Sequence, residues 1–158
     1  MGAAGADERC FRPSIEPAWP KNPKYCGTCF RQLTALHGGA EIECTLLFAD
    51  VRGSTTLAED VGSIRFRAML DRFYSAATEV LVEHDAIVDK YVGDEVMGIF
   101  IPALNGDRHA AQAIAAARAL LTAIDWLPIG AGIHMGPAFV GADGADEGGT
   151  HVDARANG

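Results

Sequence analysis

The 158-residue sequence contains no apolar run long enough to cross a bilayer: its strongest stretch, Val96 to Leu104, is interrupted by Gly98 and Pro102. Positive charge is scarce as well. Lys and Arg number 13 against 21 Asp and Glu, a formal net charge of -8, which excludes a nucleic-acid surface built on bulk positive charge. The opening residues, MGAAGADERC, lack an apolar segment, so no secretory signal is expected and the expected compartment is the cytoplasm. Cysteines number only four, and in a chain without an export signal they read as free thiols or metal ligands rather than a disulfide framework. What is present, 49% hydrophobic and 22% charged residues, is the balance of one ordinary globular domain with a sizeable core.

The scarce residues are unevenly distributed. Cys10, Cys26 and Cys29 fall in residues 1–40 with four of the seven prolines, Pro13, Pro17, Pro20 and Pro23. That segment carries five basic and three acidic residues, whereas residues 41–158 carry 8 and 18. Residues 1–40 are therefore expected to form a loop-dominated extension, with the ordered core starting near residue 40. Cys26-Gly-Thr-Cys29 is half of a zinc pattern, to which Cys10 or His37 could add ligands; loose thiols in a flexible extension are the alternative. Residues 142–158 are rich in Gly, Ala and Asp, with Val152 the one large apolar side chain, and are expected to be disordered.

Between these ends the pattern is periodic. Cys44 to Ala49 is a continuous run ending at Asp50, as in a central strand covered on both faces. The Thr56 to Glu59 spacing offers a capping box for a helix starting just after Gly53. A second helix is expected with Ser63 as N-cap and Phe66, Met69, Leu70, Phe73, Ala77, Val80 and Leu81 on its buried face. Ile87 to Val92 and Val96 to Ile101 flank Gly93-Asp94-Glu95 as a hairpin with Asp94 at its tip. A third helix, capped by Asp107 and running to about Ile124, is expected to carry Ile114, Leu120, Leu121 and Ile124 on an Ala-lined face, whose alanine content implies close packing. Pro128 to Met135 and Ala138 to Gly141 read as a last strand pair around Gly136-Pro137. This order predicts an α+β, ferredoxin-like (palm-type) sandwich: a mostly antiparallel sheet, helices on one face, incomplete at the C-terminus. Cys44 reads as a buried small residue, and His84 and His134, without spaced partners, as structural.

The candidate chemistry lies at two strand ends. Asp50 closes the first strand, and Asp94 sits on a hairpin that can lie beside it, so the pair could share divalent cations. Between Asp50 and the helix, Val51-Arg52-Gly53-Ser54-Thr55 offers backbone N–H groups as a phosphate cradle. Singly, each aspartate reads equally well as a solvated strand end or a turn residue. Together, each after an apolar strand, they describe a nucleoside triphosphate site.

These segments also resemble a known family. Leu47-Phe-Ala-Asp-Val-Arg-Gly-Ser-Thr55 is similar to the first metal-binding motif of class III adenylate and guanylate cyclases, Lys90-Tyr-Val-Gly-Asp-Glu-Val-Met-Gly-Ile-Phe100 to the second, and Gly130 to Gly141 to the glycine-bearing strand segment. The resemblance implies a lyase of cyclic nucleotide biosynthesis in intracellular signalling. In it Asp50 and Asp94, with the Val51 carbonyl, would hold two Mg2+ or Mn2+ ions at the interface of a homodimer or of a pair with another cyclase domain. ATP's 3′-hydroxyl would attack its own α-phosphate and release pyrophosphate; such chemistry asks chiefly for alignment and charge neutralisation. Lys90 stands where the family contacts the purine, and a lysine donor suits N1 of adenine, making ATP the expected substrate. Gly53, Ser54 and Thr55 would line the phosphates, and Arg52 could join them, though it reads more readily as an exposed loop arginine.

The departure from the family is at the other end. Its members continue into a helix carrying an asparagine and an arginine that act across the dimer, whereas here Arg155 and Asn157 stand in reversed order with no apolar helix around them, so those roles are not transferred. The chain reads as C-terminally truncated, and alone it is expected to make little or no cyclic AMP. Two other readings stay open: a non-catalytic nucleotide-binding or regulatory domain, and a diguanylate-cyclase-like enzyme, whose hairpin Gly93-Asp94-Glu95 echoes.

Overall fold

A computed structural model describes residues 18–19, 22–26, 40–140 and 152–153. Its centre is β3 (Ala40–Val51), preceded by β1 (Ala18–Trp19) and β2 (Asn22–Cys26). Then come helices α1 (Ser54–Val61) and α2 (Ser63–Glu83), the hairpin β4 (Ile87–Val92) and β5 (Glu95–Phe100), and the short helix α3 (Pro102–Asn105). Helix α4 (His109–Ala123), strand β6 (Ile129–Val140) and the two-residue β7 (Val152–Asp153) complete the order.

The main sheet runs β4-β5-β3-β6-β7 and every neighbouring pair is antiparallel. The expected α+β palm-type sandwich is the one found. β3 is central because both of its faces are apolar. Leu47, Ala49 and Val51 pack with Leu70, Phe73, Ala77 and Leu81 of α2 and Ala113, Ala116 and Leu120 of α4. Cys44 and Leu46 join Ile87, Met97, Ile99 and Ala138 on the reverse face. Alternation along a strand sends successive side chains to opposite faces, so a continuous apolar run must be buried twice.

Several expectations are corrected at the edges of elements. The turn at Gly136-Pro137 is not formed: β6 is one strand, paired with β3 from Ala40↔Val140 to Val51↔Ile129. Pro137 is tolerated because the outer edge of β6 is paired only at Phe139 and Val140 among the described residues, the setting in which strand prolines occur. That pairing also places residues 152 and 153 in the sheet, inside the tail expected to be disordered. Neither expected side-chain cap is made. Gly53 and Gly62 occupy the two N-cap positions, with Thr56 and Glu59 inside α1 and Ser63 the first residue of α2. Asp107 lies in a 3-10 turn (Gly106–Arg108), one residue short of capping α4. Ile114 and Leu121 are 47% and 49% exposed. The face α4 buries is set by Ala113, Ala116, Ala117 and Leu120, small side chains that let the helix approach the sheet closely.

Residues 18–26 also depart from the loop-dominated reading. β1 and β2 pair as a small hairpin, which is tied to the end of α2. The buried Asn22 donates from Nδ2 to the Ala86 carbonyl at 2.9 Å, and Lys24 Nζ reaches the Glu83 carbonyl and Asp85 Oδ1, each at 2.9 Å. A lysine at a helix C-terminus meets the negative end of its dipole, a tertiary contact that proline-broken periodicity cannot announce.

One buried polar pair joins α4 to the central strand: Thr45 Oγ1 and His109 Nδ1 are 2.8 Å apart, and both residues are buried. Thr45→Val keeps the side-chain shape and strands the imidazole nitrogen. It is expected to cost roughly 1–3 kcal/mol, read as a lowered urea midpoint with unchanged slope; a midpoint equal to that of the parent chain would show the pair to be energetically neutral.

Candidate active site

The last residues of β3 are held from both sides. Asp50 lies opposite Glu95 on β5 and Gly130 on β6. The Val51 N–H donates to the Asp94 carbonyl at 3.2 Å, and the Arg52 N–H to the Pro128 carbonyl at 2.8 Å. Of the two aspartates singled out from the sequence, Asp50 is therefore next to last on β3 and Asp94 lies in the β4–β5 turn beside it, at the same end of the sheet. Asp50 is exposed and Asp94 half-buried, and among the described residues neither carboxylate has a hydrogen-bond or ion-pair partner.

Gly130 makes the room that Asp50 uses. A Cβ built there would lie 2.7 Å from Asp50 Oδ1 and 3.1 Å from Arg52 Nε. The carboxylate and the guanidinium thus rest over the bare backbone of β6. On the other side, Gly93 turns the hairpin with φ 62, a left-handed conformation that glycine adopts without strain at the first position of a two-residue turn. Tyr74 of α2 donates its hydroxyl to the Gly93 carbonyl. Its ring lies 4.8 Å from that of Tyr91, whose hydroxyl is 2.6 Å from Thr78 Oγ1. Burial, with Asp94, Asp71 and Tyr91 nearby, raises the Tyr74 pKa against the opposing pull of Arg67, so the hydroxyl keeps its proton at neutral pH.

The phosphate cradle is narrower than its five residues imply, because the amides of Val51 and Arg52 are spent on Asp94 and Pro128. The amides of Gly53, Ser54 and Thr55 open α1, and the first helix bond recorded there is from Leu57 N–H to the Gly53 carbonyl at 3.0 Å; amides at such a start have no intrahelical partner. Lys90 is exposed on β4 opposite Met97, on the hairpin that carries Asp94.

Other expected residues fall outside the site. Cys10, Cys29 and His37 lie outside the described residues, as does the side chain of Cys26, so the candidate zinc site does too. Cys44 is fully buried in β3, and burial raises its thiol pKa. His84 bonds back to the Val80 carbonyl at 2.9 Å through Nδ1, and His134 is exposed on β6. Sequence reasoning missed Tyr74, Tyr91 and the Thr45–His109 pair. Aromatic residues four apart from apolar stripe positions on α2 were the available signal for the first, but nothing local links residue 74 to residue 93.

No protein-family model matches the chain. Among solved structures, the guanylyl cyclase Cya2 superposes with a TM-score of 0.69 at 22% identity, covering 75% of this chain and 67% of that one. The adenylyl cyclase CyaB from P. aeruginosa superposes with 0.61 at 24%, covering 74% and 68%. The chain has the fold of the class III cyclase catalytic domains. In sequence, an adenylate cyclase of Anabaena cylindrica is 31% identical in an alignment 112 positions long that covers 63% of this chain and 22% of that protein. The chain spans about a fifth of the length of the curated relatives it matches.

On this cyclase fold, the fit of divalent metal can be judged from the donors. Among the described residues no cluster of three or more His, Cys, Asp and Glu side chains is formed, which argues against an all-protein cage. Asp50 and Asp94, at the same end of the sheet and near the start of α1, each offer a carboxylate without a partner among the described residues, a donor set that would suit Mg2+ or Mn2+, since such ions are held by one or two carboxylates together with substrate phosphates.

Gly130→Ala tests the geometry. The new Cβ would displace the Asp50 carboxylate while adding only one methyl group to a strand. Metal-dependent ATP affinity is expected to fall by about tenfold or more, with the melting midpoint moving by no more than a few degrees, as titration calorimetry and thermal unfolding would show. Unaltered affinity would mean that Asp50 has no role at this site.

Proposed function

We propose that the chain is an adenylate cyclase domain that contributes the metal and triphosphate half of an active site completed by a second copy or by another cyclase domain. The observation that carries this reading is the placement of Asp94, in the β4–β5 turn, beside the end of β3 that bears Asp50, the two segments joined by the Val51 N–H to Asp94 carbonyl bond. Asp50 and Asp94, with the Val51 carbonyl, are the residues that would hold divalent cations. Bound there, such ions would neutralise triphosphate charge and help align the α-phosphate with the ribose 3′-hydroxyl.

The remaining roles belong to the chain itself. Amides of Gly53, Ser54 and Thr55 at the start of α1 donate to phosphate oxygens, favoured by the positive end of the helix dipole. Arg52, folded over Gly130, adds a cation beside Asp50. Lys90 donates to N1 of adenine, an acceptor, whereas N1 of guanine carries a proton and would leave the ammonium without a partner. Since both adenylyl and guanylyl cyclases share the fold, the choice of ATP over GTP rests on Lys90. The fold alone serves equally for a nucleotide-binding regulatory domain without turnover, so binding and chemistry need separate measurements.

Asp50→Asn and Asp94→Asn are each expected to abolish Mn2+-dependent ATP binding while leaving stability within about 0.5 kcal/mol. Turnover is read by mixing this chain with a cyclase subunit that lacks its own metal aspartates and retains its asparagine and arginine. Cyclic AMP from the mixture, absent with either chain alone, supports the half-site. Nucleotide binding without product in any mixture selects the regulatory reading, and binding unaffected by both substitutions overturns the site.

A further inference from the structure

We propose that Tyr74 is a positioning residue for Asp94: its hydroxyl, by holding the Gly93 carbonyl, fixes the hairpin turn that presents the carboxylate to the cation. The inference rests on the reading of Asp94 as a metal ligand and adds to it a residue from a different element of the fold.

The Gly93-Asp94 turn has two consecutive carbonyls, each captured from a different side. The Val51 N–H of β3 takes the Asp94 carbonyl at 3.2 Å, and the Tyr74 hydroxyl of α2 takes that of Gly93. With both neighbouring peptide units held, Asp94 keeps chiefly its side-chain torsions as free variables. The turn itself lies in solvent: Val92 and Gly93 are exposed, and although the ladder is regular up to the closing Val92–Glu95 pair, the β4–β5 register shifts further back, between Val88 and Lys90. β4 is also an edge strand, with no neighbour beyond it among the described residues.

Tyr74 is itself well anchored. Its ring packs 5.7 Å from that of Phe73, a fully buried core residue, and 4.8 Å from that of Tyr91. The Tyr91 hydroxyl in turn meets Thr78, one turn further along α2. A rigid helix thus reaches the turn through an aromatic side chain with few rotatable bonds, the arrangement expected of a group that orients a ligand rather than coordinating metal itself. Partners of this kind typically set metal affinity by roughly 10- to 100-fold.

The test uses the full chain and Mn2+ with a non-hydrolysable ATP analogue, titrated by electron paramagnetic resonance for the parent, Tyr74→Phe and Asp94→Asn. Tyr74→Phe keeps the ring packing and removes only the hydroxyl. The expected result is a loss of binding in Asp94→Asn and about tenfold weaker Mn2+ affinity in Tyr74→Phe. Loss in Asp94→Asn with parental affinity in Tyr74→Phe overturns the positioning role and leaves the metal reading standing. Parental affinity in both variants overturns the two together. Amide hydrogen exchange of the metal-free Tyr74→Phe protein gives a second readout. Faster exchange confined to Val92 and Glu95, the pair that closes the turn, supports the role, and acceleration spread through α2 and β5 overturns it as mere loss of packing.

Discussion

Burial of β3 on both faces, with a hydrogen-bonded neighbour on each side, is the constraint from which the other features follow. A strand whose residues 44 to 49 are, Thr45 apart, apolar without alternation can be satisfied only between two layers and two partner strands. β5 and β6 supply the partners, α2 and α4 one of the layers. The run stops at Asp50, and a carboxylate cannot follow Ala49 into the core without neutralisation or a partner. It therefore emerges at the rim, where the chain leaves the sheet for α1. The site is located where a carboxylate interrupts the buried run of the strand, between the buried Ala49 and Val51.

The same constraint explains what could be read from sequence and what could not. Residues 44–50, the α2 stripe from Leu70 to Leu81 and the hairpin around Gly93 were legible because each is set by local periodicity or by a short turn. The face of α4 was legible in part: its alanines, Leu120 and Ile124 are buried as expected, whereas Ile114 and Leu121 stand outside the contact, because how closely the alanines bring the helix to β3 fixes which flanking positions are covered. The unbroken course of β6 through Gly136-Pro137 was hidden because turn-forming residues are judged locally, whereas a long ladder to β3 overrides them. The Asn22 and Lys24 anchors lie about sixty residues from their partners in sequence, and no spacing rule reaches that far.

Within the site, the two aspartates were legible as strand-end and turn carboxylates, but the groups that shape their surroundings were not. Gly130 matters for the side chain it lacks, and only the distance to Asp50 Oδ1 reveals this. Tyr74 lies on a helix whose periodicity accounts for its neighbours Phe73 and Ala77 and is silent about a hydroxyl aimed at a turn nineteen residues later. Residues that act through backbone carbonyls leave no motif behind, because any chain segment offers the same carbonyl.

Charge sets a last condition on the proposed chemistry. The chain carries -8 overall, and two of its carboxylates stand at the site with no protein cation bonded to either among the described residues. A nucleoside triphosphate, itself highly anionic, would meet repulsion at Asp50 and Asp94 unless positive charge arrived with it; at separations of a few ångströms that repulsion amounts to several kcal/mol at intermediate dielectric, on the order of 332/(εr). Arg52 and Lys90 lie on opposite sides of the aspartates, one above Gly130 and the other on β4, and the amides of Gly53, Ser54 and Thr55 contribute partial charges only. On the proposed reading these groups orient the phosphates and the base, and divalent cations carry the compensating charge. Nucleotide and metal binding should then be strongly coupled, each raising the affinity for the other by the same factor.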